Sequence, residues 1–238
     1  MADDRELSPF HERVRTFLSA EPSPKRSAAR RAGAAGRDLI ERLVATTAPA
    51  ESVEAAADQI EAVAATLAGY PQGRIFEGFA ESSTSGDPAA FFDNSPILGA
   101  ANPLAPPVRV RVENGIVVGE VTWGSAYEGP PGCVHGGYLA AAFDEVLGMT
   151  QSLAGAPGMT GTLTVRYRRP TPLHVPMRFE GSLDRVERRK IFVTGRLLDA
   201  GGEVTAEAEA IFVRVDFAKL AALADERARR APPGAEES

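Results

Sequence analysis

Residues 128–148 read EGPPGCVHGGYLAAAFDEVLG. Glycine and proline crowd its first half, which predicts a tight loop, and the His-Gly-Gly run at 135–137 then opens a helix over roughly 136–153. Apolar residues recur through the helix at helical spacing, namely Tyr138, Ala141, Ala142, Val146 and Met149. A helix that is apolar on most of its sides must be buried on most of them.

The start and the centre of this helix carry candidate chemistry. Backbone N–H groups in a first helical turn lack partners within the helix, and the helix dipole adds positive potential there. Gly136 and Gly137 let a ligand approach that backbone closely, which predicts a site for an anion or a carbonyl oxygen. Asp144 lies mid-helix among apolar residues, where an ionised carboxylate is costly unless it is paired or lines a cavity. Asp144 is therefore the candidate reactive carboxylate, and Glu145 is expected on a solvated side or at an interface.

Strand patterns flank the helix on both sides. Alternating valines at 108–112 and the turn dipeptide Asn114-Gly115 predict a hairpin before the helix, with its second strand at 116–123. Four more strands follow the helix, at 162–167, 177–186, 190–198 and 203–213. Hairpin-length connections favour antiparallel pairing. This order predicts an α+β fold with an antiparallel sheet of about six strands wrapped around one central helix, because wrapping buries most sides of the helix.

The spacing of the candidate residues predicts self-association. Gly136 and Asp144 are eight residues apart, or ~12 Å along a helix at ~1.5 Å per residue. One carbonyl group cannot contact the Gly136 amide and also lie within a few ångströms of Asp144 of the same chain. If both serve one reaction, two chains must contribute, and a two-fold dimer would supply two equal sites. We therefore expect a homodimer or a dimer of dimers.

The remainder of the chain predicts a helical extension and a tail. Helices are expected at 7–20, 27–46 and 52–67. The basic, alanine-rich segment 25–37 is interpreted as a solvated helical face. Residues 70–107 are loop-like but contain scattered phenylalanines, which favours a packed cover over disorder. The predicted divisions are a helical extension at 1–74, the sheet-and-helix domain at 75–218 and a charged tail at 219–238.

Composition limits the functional classes. The chain has 238 residues, a net charge of -6 and a pI of about 5.3, which disfavours nucleic acid or an anionic membrane as a partner. No apolar run approaches the ~18–20 residues of a membrane span, and no signal-peptide pattern is evident. Cys133 is the single cysteine, and with His135 alone it falls short of a zinc site, so no metal is expected. A cytoplasmic protein is predicted.

Several segments together resemble a known family. They are Gly129-Pro130-Pro131-Gly132 before His135-Gly136-Gly137, Asp144-Glu145 with Gly148 after, Met159-Thr160, and the runs at 167–173 and 186–193. The chain resembles the hotdog-fold acyl-CoA thioesterases of the phenylacetyl-CoA (PaaI-like) group, and most of all the branch with the mammalian carboxyl-terminal modulator protein. The resemblance covers about residues 75–216. It implies the hotdog fold, hydrolysis of an acyl-CoA substrate and no cofactor, since coenzyme A is part of the substrate.

The resemblance also implies roles for individual residues. Asp144 would act as general base on water or as nucleophile on the thioester carbonyl, which the Gly136 amide would polarise. His135 would shape the turn and contact the thioester region. Thr160 matches a family hydroxyl that helps hold the water or the carboxylate, and Thr162, expected on the same strand face, is the reserve candidate. The expected substrate contacts are Gly137, Thr162, Arg168, Arg169, Arg189 and Lys190, the basic ones facing the phosphates of coenzyme A.

Other functions stay open at this point. Many relatives carry Asn six residues before the His, and this chain has Gly129 there, which motivates a non-catalytic acyl-CoA- or lipid-binding hotdog protein. A hydratase is disfavoured because its signature, an Asp and a His five residues apart at the helix start, is missing. Each candidate also has a structural interpretation: Asp144 could pair with an arginine at an interface, and Thr160 could simply begin a strand.

Overall fold

The computed structural model describes residues 21–70, 92–155 and 158–214. Two helices come first, α1 (Pro24–Ala45) and α2 (Ala50–Ala68). They are followed by β1 (Arg109–Glu113), β2 (Ile116–Thr122), a 3₁₀ turn (Ser125–Tyr127), α3 (Gly136–Ser152), β3 (Gly158–Tyr167), β4 (Pro176–Glu187), β5 (Lys190–Leu198) and β6 (Val204–Arg214). The predicted helix at 7–20, most of the predicted cover, the tail and both predicted domain boundaries lie outside the described residues.

The six strands form one antiparallel sheet in the order β1-β2-β4-β5-β6-β3. α3 packs against β2 through β6, and its Phe143 meets Phe179 of β4 edge-on with ring centroids 4.9 Å apart. Phe143, Leu147 and Phe179 are essentially inaccessible to water, and burying such a side chain contributes about 1.5–3 kcal/mol. The predicted α+β fold with a wrapped central helix is confirmed.

The strand β3 lies at an edge of the sheet and, among the described strands, pairs only with β6. The register of this pair shifts between Thr160 and Thr162, so that one extra residue, Gly161, bulges from β3. Leu163 and Val165 pack against the core, so Thr162 faces away from α3, while Thr160 faces it from beyond the bulge. The prediction that Thr162 shares the face of Thr160 is wrong, because the bulge reverses the alternation of side chains.

The helix α1 docks through polar residues and one glycine. They recur on one face, which we call the docking stripe: Arg26, Arg30, Gly33, Arg37 and Glu41. Most residues of 25–37 are exposed, as the interpretation of a solvated face predicts, but Arg26, Arg30, Gly33 and Arg37 form a docked face that this interpretation missed. Leu39, Leu43 and Val44, whose helical spacing favours a buried apolar face, are exposed instead. Each helix within the described ranges is too short or too polar to cross a membrane.

Candidate active site

His135 caps the N-terminus of α3. Its ring Nδ1 accepts the Gly137 N–H at 3.0 Å, and its carbonyl accepts the Tyr138 N–H at 3.0 Å. No described residue accepts a hydrogen bond from the Gly136 amide. The predicted helix-start site therefore has one free donor, at Gly136, and the expectation of a second at Gly137 is not met because the cap uses that amide.

Tyr167, at the end of β3, fastens the first turn of α3 to the sheet. Its hydroxyl donates to the Gly136 carbonyl at 2.8 Å. A Cβ at Gly136 would lie 3.3 Å from the tyrosine ring, and one at Gly137 would lie 3.0 Å from His135 Nδ1. Glycine at both positions is thus explained by close approach of these side chains. Sequence reasoning did not single out Tyr167, although its place on the inward side of β3 was a usable signal.

Asp144 faces β3 from the middle of α3. Thr160 Oγ1 donates to Asp144 Oδ1 at 2.9 Å, and the Asp144 carboxylate is half-buried. Among the described residues, none forms an ion pair with Asp144. A hydroxyl that donates to one carboxylate oxygen leaves the other oxygen of Asp144 able to contact a water or a substrate carbon.

Glu145 follows Asp144 but lies in a different environment. Ser95 Oγ donates to Glu145 Oε1 at 3.1 Å. Burial raises the pKa of Glu145, and the hydrogen bond from Ser95 opposes that rise. Of the two places expected for Glu145, a solvated side or an interface, the solvated side is wrong, because the segment containing Ser95 covers this flank of the helix.

The predicted basic substrate contacts fall into two sets at opposite ends of β3. Arg168 and Arg169 follow Tyr167 and pair with Glu207 at 2.6 Å and Glu203 at 3.1 Å. At the other end, Lys190 is exposed and pairs in register with Val213, which pairs with Met159. Arg189, beside Lys190, donates to the Arg214 carbonyl at 3.2 Å.

These ends correspond to the two parts of the candidate site. Thr160 and Tyr167 are seven residues apart on β3, or about 23 Å at ~3.3 Å per residue. The end of β3 near Gly136 therefore carries Arg168 and Arg169. The end near Asp144 carries Arg189 and Lys190. A single chain does not bring the two sets, or the free amide and the carboxylate, together.

A cleft of about 980 Å³ lies elsewhere, between α1 and the ends of β2 and β4. Its charged lining is mixed, with Arg37 and Arg178 beside Glu41 and Glu120. Neither Asp144 nor Gly136 lines it. The candidate carboxylate Asp144 and the candidate amide donor Gly136 instead lie where α3 contacts β3, so the candidate site is separate from this cleft.

The residues of the candidate site lie within the part of the chain that matches known proteins. The family model described as thioesterase superfamily matches residues 131–206. A solved structure described as a thioesterase superfamily protein is 34% identical, with a TM-score of 0.69, over 82% of this chain and 93% of that chain.

Curated relatives match a shorter region. The acyl-coenzyme A thioesterase THEM5 of Homo sapiens is 38% identical over 71 residues, which is 30% of this chain and 29% of that protein. The acyl-coenzyme A thioesterase THEM4 of Xenopus laevis is 31% identical over 93 residues, 39% of this chain and 42% of that protein. The chain thus spans less than half the length of these curated relatives.

Proposed function

This chain belongs to the thioesterase superfamily and has the hotdog fold, and from that premise we propose that it hydrolyses the thioester bond of an acyl-CoA. The products would be a free acid and coenzyme A. We expect a medium- or long-chain or an aryl acyl group. The resemblance to hotdog thioesterases stated from the sequence is confirmed, and the substrate and the reacting residues are the proposal.

One observation carries the proposal: the hydrogen bond of Thr160 to a half-buried Asp144. A carboxylate in a mostly apolar helix persists when a specific partner holds it and when it lines a site. Here the partner is a strand-edge hydroxyl, which fixes the orientation of the carboxylate while leaving one oxygen to react. The free Gly136 amide supplies the complementary donor for an oxyanion.

Two chemical routes fit these groups. As a general base, Asp144 would take a proton from water while the water oxygen bonds to the thioester carbon, and the carbonyl electrons would move to the oxygen facing the Gly136 N–H. When the carbon–sulfur bond breaks, the departing thiolate would take the proton from Asp144. As a nucleophile, Asp144 would itself bond to the carbon and expel the thiolate, and water would then cleave the resulting anhydride.

The site requires two chains in this proposal. A two-fold axis at the free edge of β3 would pair that strand antiparallel with its copy. The end of β3 that carries Thr160 would then lie beside the end that carries Tyr167 in the partner. Asp144 of one subunit would thereby face Gly136 of the other, which satisfies the ~12 Å separation that one helix imposes.

The same pairing would unite the two basic sets. Arg189 and Lys190 of one chain would lie near Arg168 and Arg169 of the other, at the mouth of each shared site. The side chains of Arg168 and Arg169 are already held by carboxylates on β6. Their guanidinium groups therefore have defined positions from which spare N–H donors could bind the phosphates of coenzyme A.

Thiol release from a panel of acyl-CoAs tests the proposal directly. We expect the wild type to turn over at least one substrate and Asp144→Asn to lose at least a hundredfold in kcat. Asp184→Asn is the matched control, because Asp184 is an exposed carboxylate on β4 that pairs with Arg185. Equal rates for wild type and Asp144→Asn would remove Asp144 from the mechanism, and a strictly monomeric active enzyme would remove the shared site.

A non-catalytic acyl-CoA-binding protein is the second candidate. A Cβ at Gly129 would lie 2.7 Å from His135 Cα, so no side chain fits there without a backbone shift. The asparagine that many relatives carry at this position has no equivalent here. Tight calorimetric binding of acyl-CoA with no thiol release, under conditions where the wild type is folded, would favour this candidate over the enzyme.

A further inference from the structure

Ser95 connects the loop at 92–102 to α3. Its hydroxyl accepts the N–H groups of Ile97 at 3.2 Å and Leu98 at 3.0 Å, and donates to Glu145 Oε1 at 3.1 Å. A serine hydroxyl has one proton and two lone pairs. Because two backbone donors occupy the lone pairs, the proton is directed at Glu145, and the burial of Ser95, 4% exposed, limits competition by water.

The loop that presents Ser95 is closed by its own hydrogen bonds. The Asp93 carbonyl accepts the Ala101 N–H at 3.0 Å, and the Ser95 carbonyl accepts the Gly99 N–H at 3.0 Å. A Cβ at Gly99 would lie 2.4 Å from the Ser95 carbonyl oxygen, so only glycine fits this turn. Ser95 therefore cannot move without the rest of the loop.

The N-terminal half of the docking stripe clamps one side of this loop. Arg26 and Arg30 both pair with the carboxylate of Asp93, the latter at 2.8 Å. Asp93 is buried, and two cations on one buried carboxylate compensate the loss of hydration. This pair of arginines fixes α1 to the residue that lies two positions before Ser95.

The centre of the stripe clamps the other side. Arg37 donates to the carbonyls of Ala100 at 3.0 Å and Asn102 at 2.8 Å. Gly33 approaches so closely that a Cβ there would lie 2.6 Å from the Ala101 backbone. α1 thus holds the loop at both of its ends, and the loop holds Glu145.

We propose that Glu145 is a positioning residue for the reaction at Asp144, and that α1 sets its position through the loop at 92–102. This inference rests on the function proposed above. Consecutive residues of a helix point about 100° apart, so rotation of α3 moves both carboxylates together. The Ser95–Glu145 bond on one flank of α3 and the Thr160–Asp144 bond on the other together fix the orientation of α3 about its axis. Loss of either bond allows α3 to rotate.

Steady-state kinetics separate this role from a merely structural one. In Glu145→Ala and Ser95→Ala we expect kcat to fall about tenfold with KM within twofold of wild type. Glu145→Gln keeps an acceptor oxygen for Ser95 and should remain within twofold in both. The double variant Ser95→Ala/Glu145→Ala should be no slower than either single variant, because both remove one bond. Glu61→Ala, an exposed glutamate of α2, is the control.

Hydrogen exchange of the free protein gives a readout that does not depend on turnover. Amides of 136–152 should exchange faster in Glu145→Ala and Ser95→Ala than in wild type, and those of Glu145→Gln should exchange no faster than in wild type. If the wild type hydrolyses no acyl-CoA, the proposed function fails. The exchange rates of the variants would still show whether Ser95 and Glu145 restrain α3. Wild-type kcat and exchange in both alanine variants, or additive losses in the double variant, would overturn the proposal.

The contribution of α1 is tested by Arg37→Met, which removes the donors to the loop carbonyls but keeps an unbranched side chain. We expect the same direction of change, with kcat three- to tenfold lower and faster exchange at 136–152. Wild-type values for both measurements in folded Arg37→Met would overturn the part of the proposal that concerns α1.

Discussion

Replacing Thr160 by valine removes one hydrogen bond from Asp144 at nearly constant side-chain volume. The bond from Thr160 Oγ1 to Asp144 Oδ1 is 2.9 Å long, and a hydrogen bond to a charged group contributes about 1.5–3 kcal/mol. Thr160 is exposed and Asp144 only half-buried, so water replaces part of the lost bond and the low end of this range applies. A loss of about 1.5 kcal/mol corresponds to roughly tenfold in rate, so we expect kcat about tenfold lower.

The assay is steady-state thiol release from an acyl-CoA, with thermal unfolding measured to verify that each variant is folded. Thr160→Ser keeps the hydroxyl and should retain most of the activity. Thr162→Val is the matched control on the other face of the bulge and should leave kcat unchanged. Wild-type kcat in Thr160→Val, or the same loss in Thr162→Val, would refute the argument that this bond orients the reactive carboxylate.

Three further variants test other contacts. Burial raises the pKa of Glu145 above its ordinary 4.5. The favourable contribution of Glu145 to the free energy of unfolding is therefore present at low pH and is lost as the pH rises through the raised pKa. Glu145→Gln should raise the unfolding midpoint at pH ~7.5 but not near pH ~4.5, and a pH-independent difference would contradict this. Gly33→Ala should lower the midpoint although alanine favours a helix by ~1 kcal/mol, because the Cβ meets the Ala101 backbone at 2.6 Å; a higher midpoint would contradict the docking. Tyr167→Phe removes the 2.8 Å bond to the Gly136 carbonyl and should speed exchange at 136–139 and lower kcat several-fold, whereas unchanged exchange would show that Tyr167 does not restrain the turn.

The central domain was predictable because its patterns are local. Alternation of apolar residues marks a half-buried strand wherever that strand pairs, and Asn114-Gly115 adopts the positive φ angles that the predicted hairpin turn needs. The apolar spacing of 136–153 likewise predicts a helix that is buried on most of its sides, whichever elements bury it. The bulge at Gly161 was not predicted, although a glycine inside a strand pattern is a signal for one.

The docking of α1 could not be predicted by the same reasoning. Its contacts are ion pairs and hydrogen bonds to backbone carbonyls, so its buried face has no apolar periodicity. The residues with apolar spacing, such as Leu43 and Val44, are exposed instead. Only the partners, Asp93 and the carbonyls of the loop at 92–102, turn a basic stripe into a docking face, and those partners lie more than sixty residues away in sequence.

The adjacent carboxylates Asp144 and Glu145 show why chemistry at this site needed the structure. By sequence both are acidic residues in one apolar helix, and environment alone separates the roles that we propose for them, as it does for paired carboxylates in general. Glu145 meets a buried serine whose other bonds are complete, and burial raises its pKa, which suits a restraint. Asp144 meets one exposed hydroxyl on β3, an edge strand of the described sheet, and this is the edge where the proposal places the second chain and the substrate. If the roles were reversed, Glu145→Gln would abolish turnover and Asp144→Asn would preserve it.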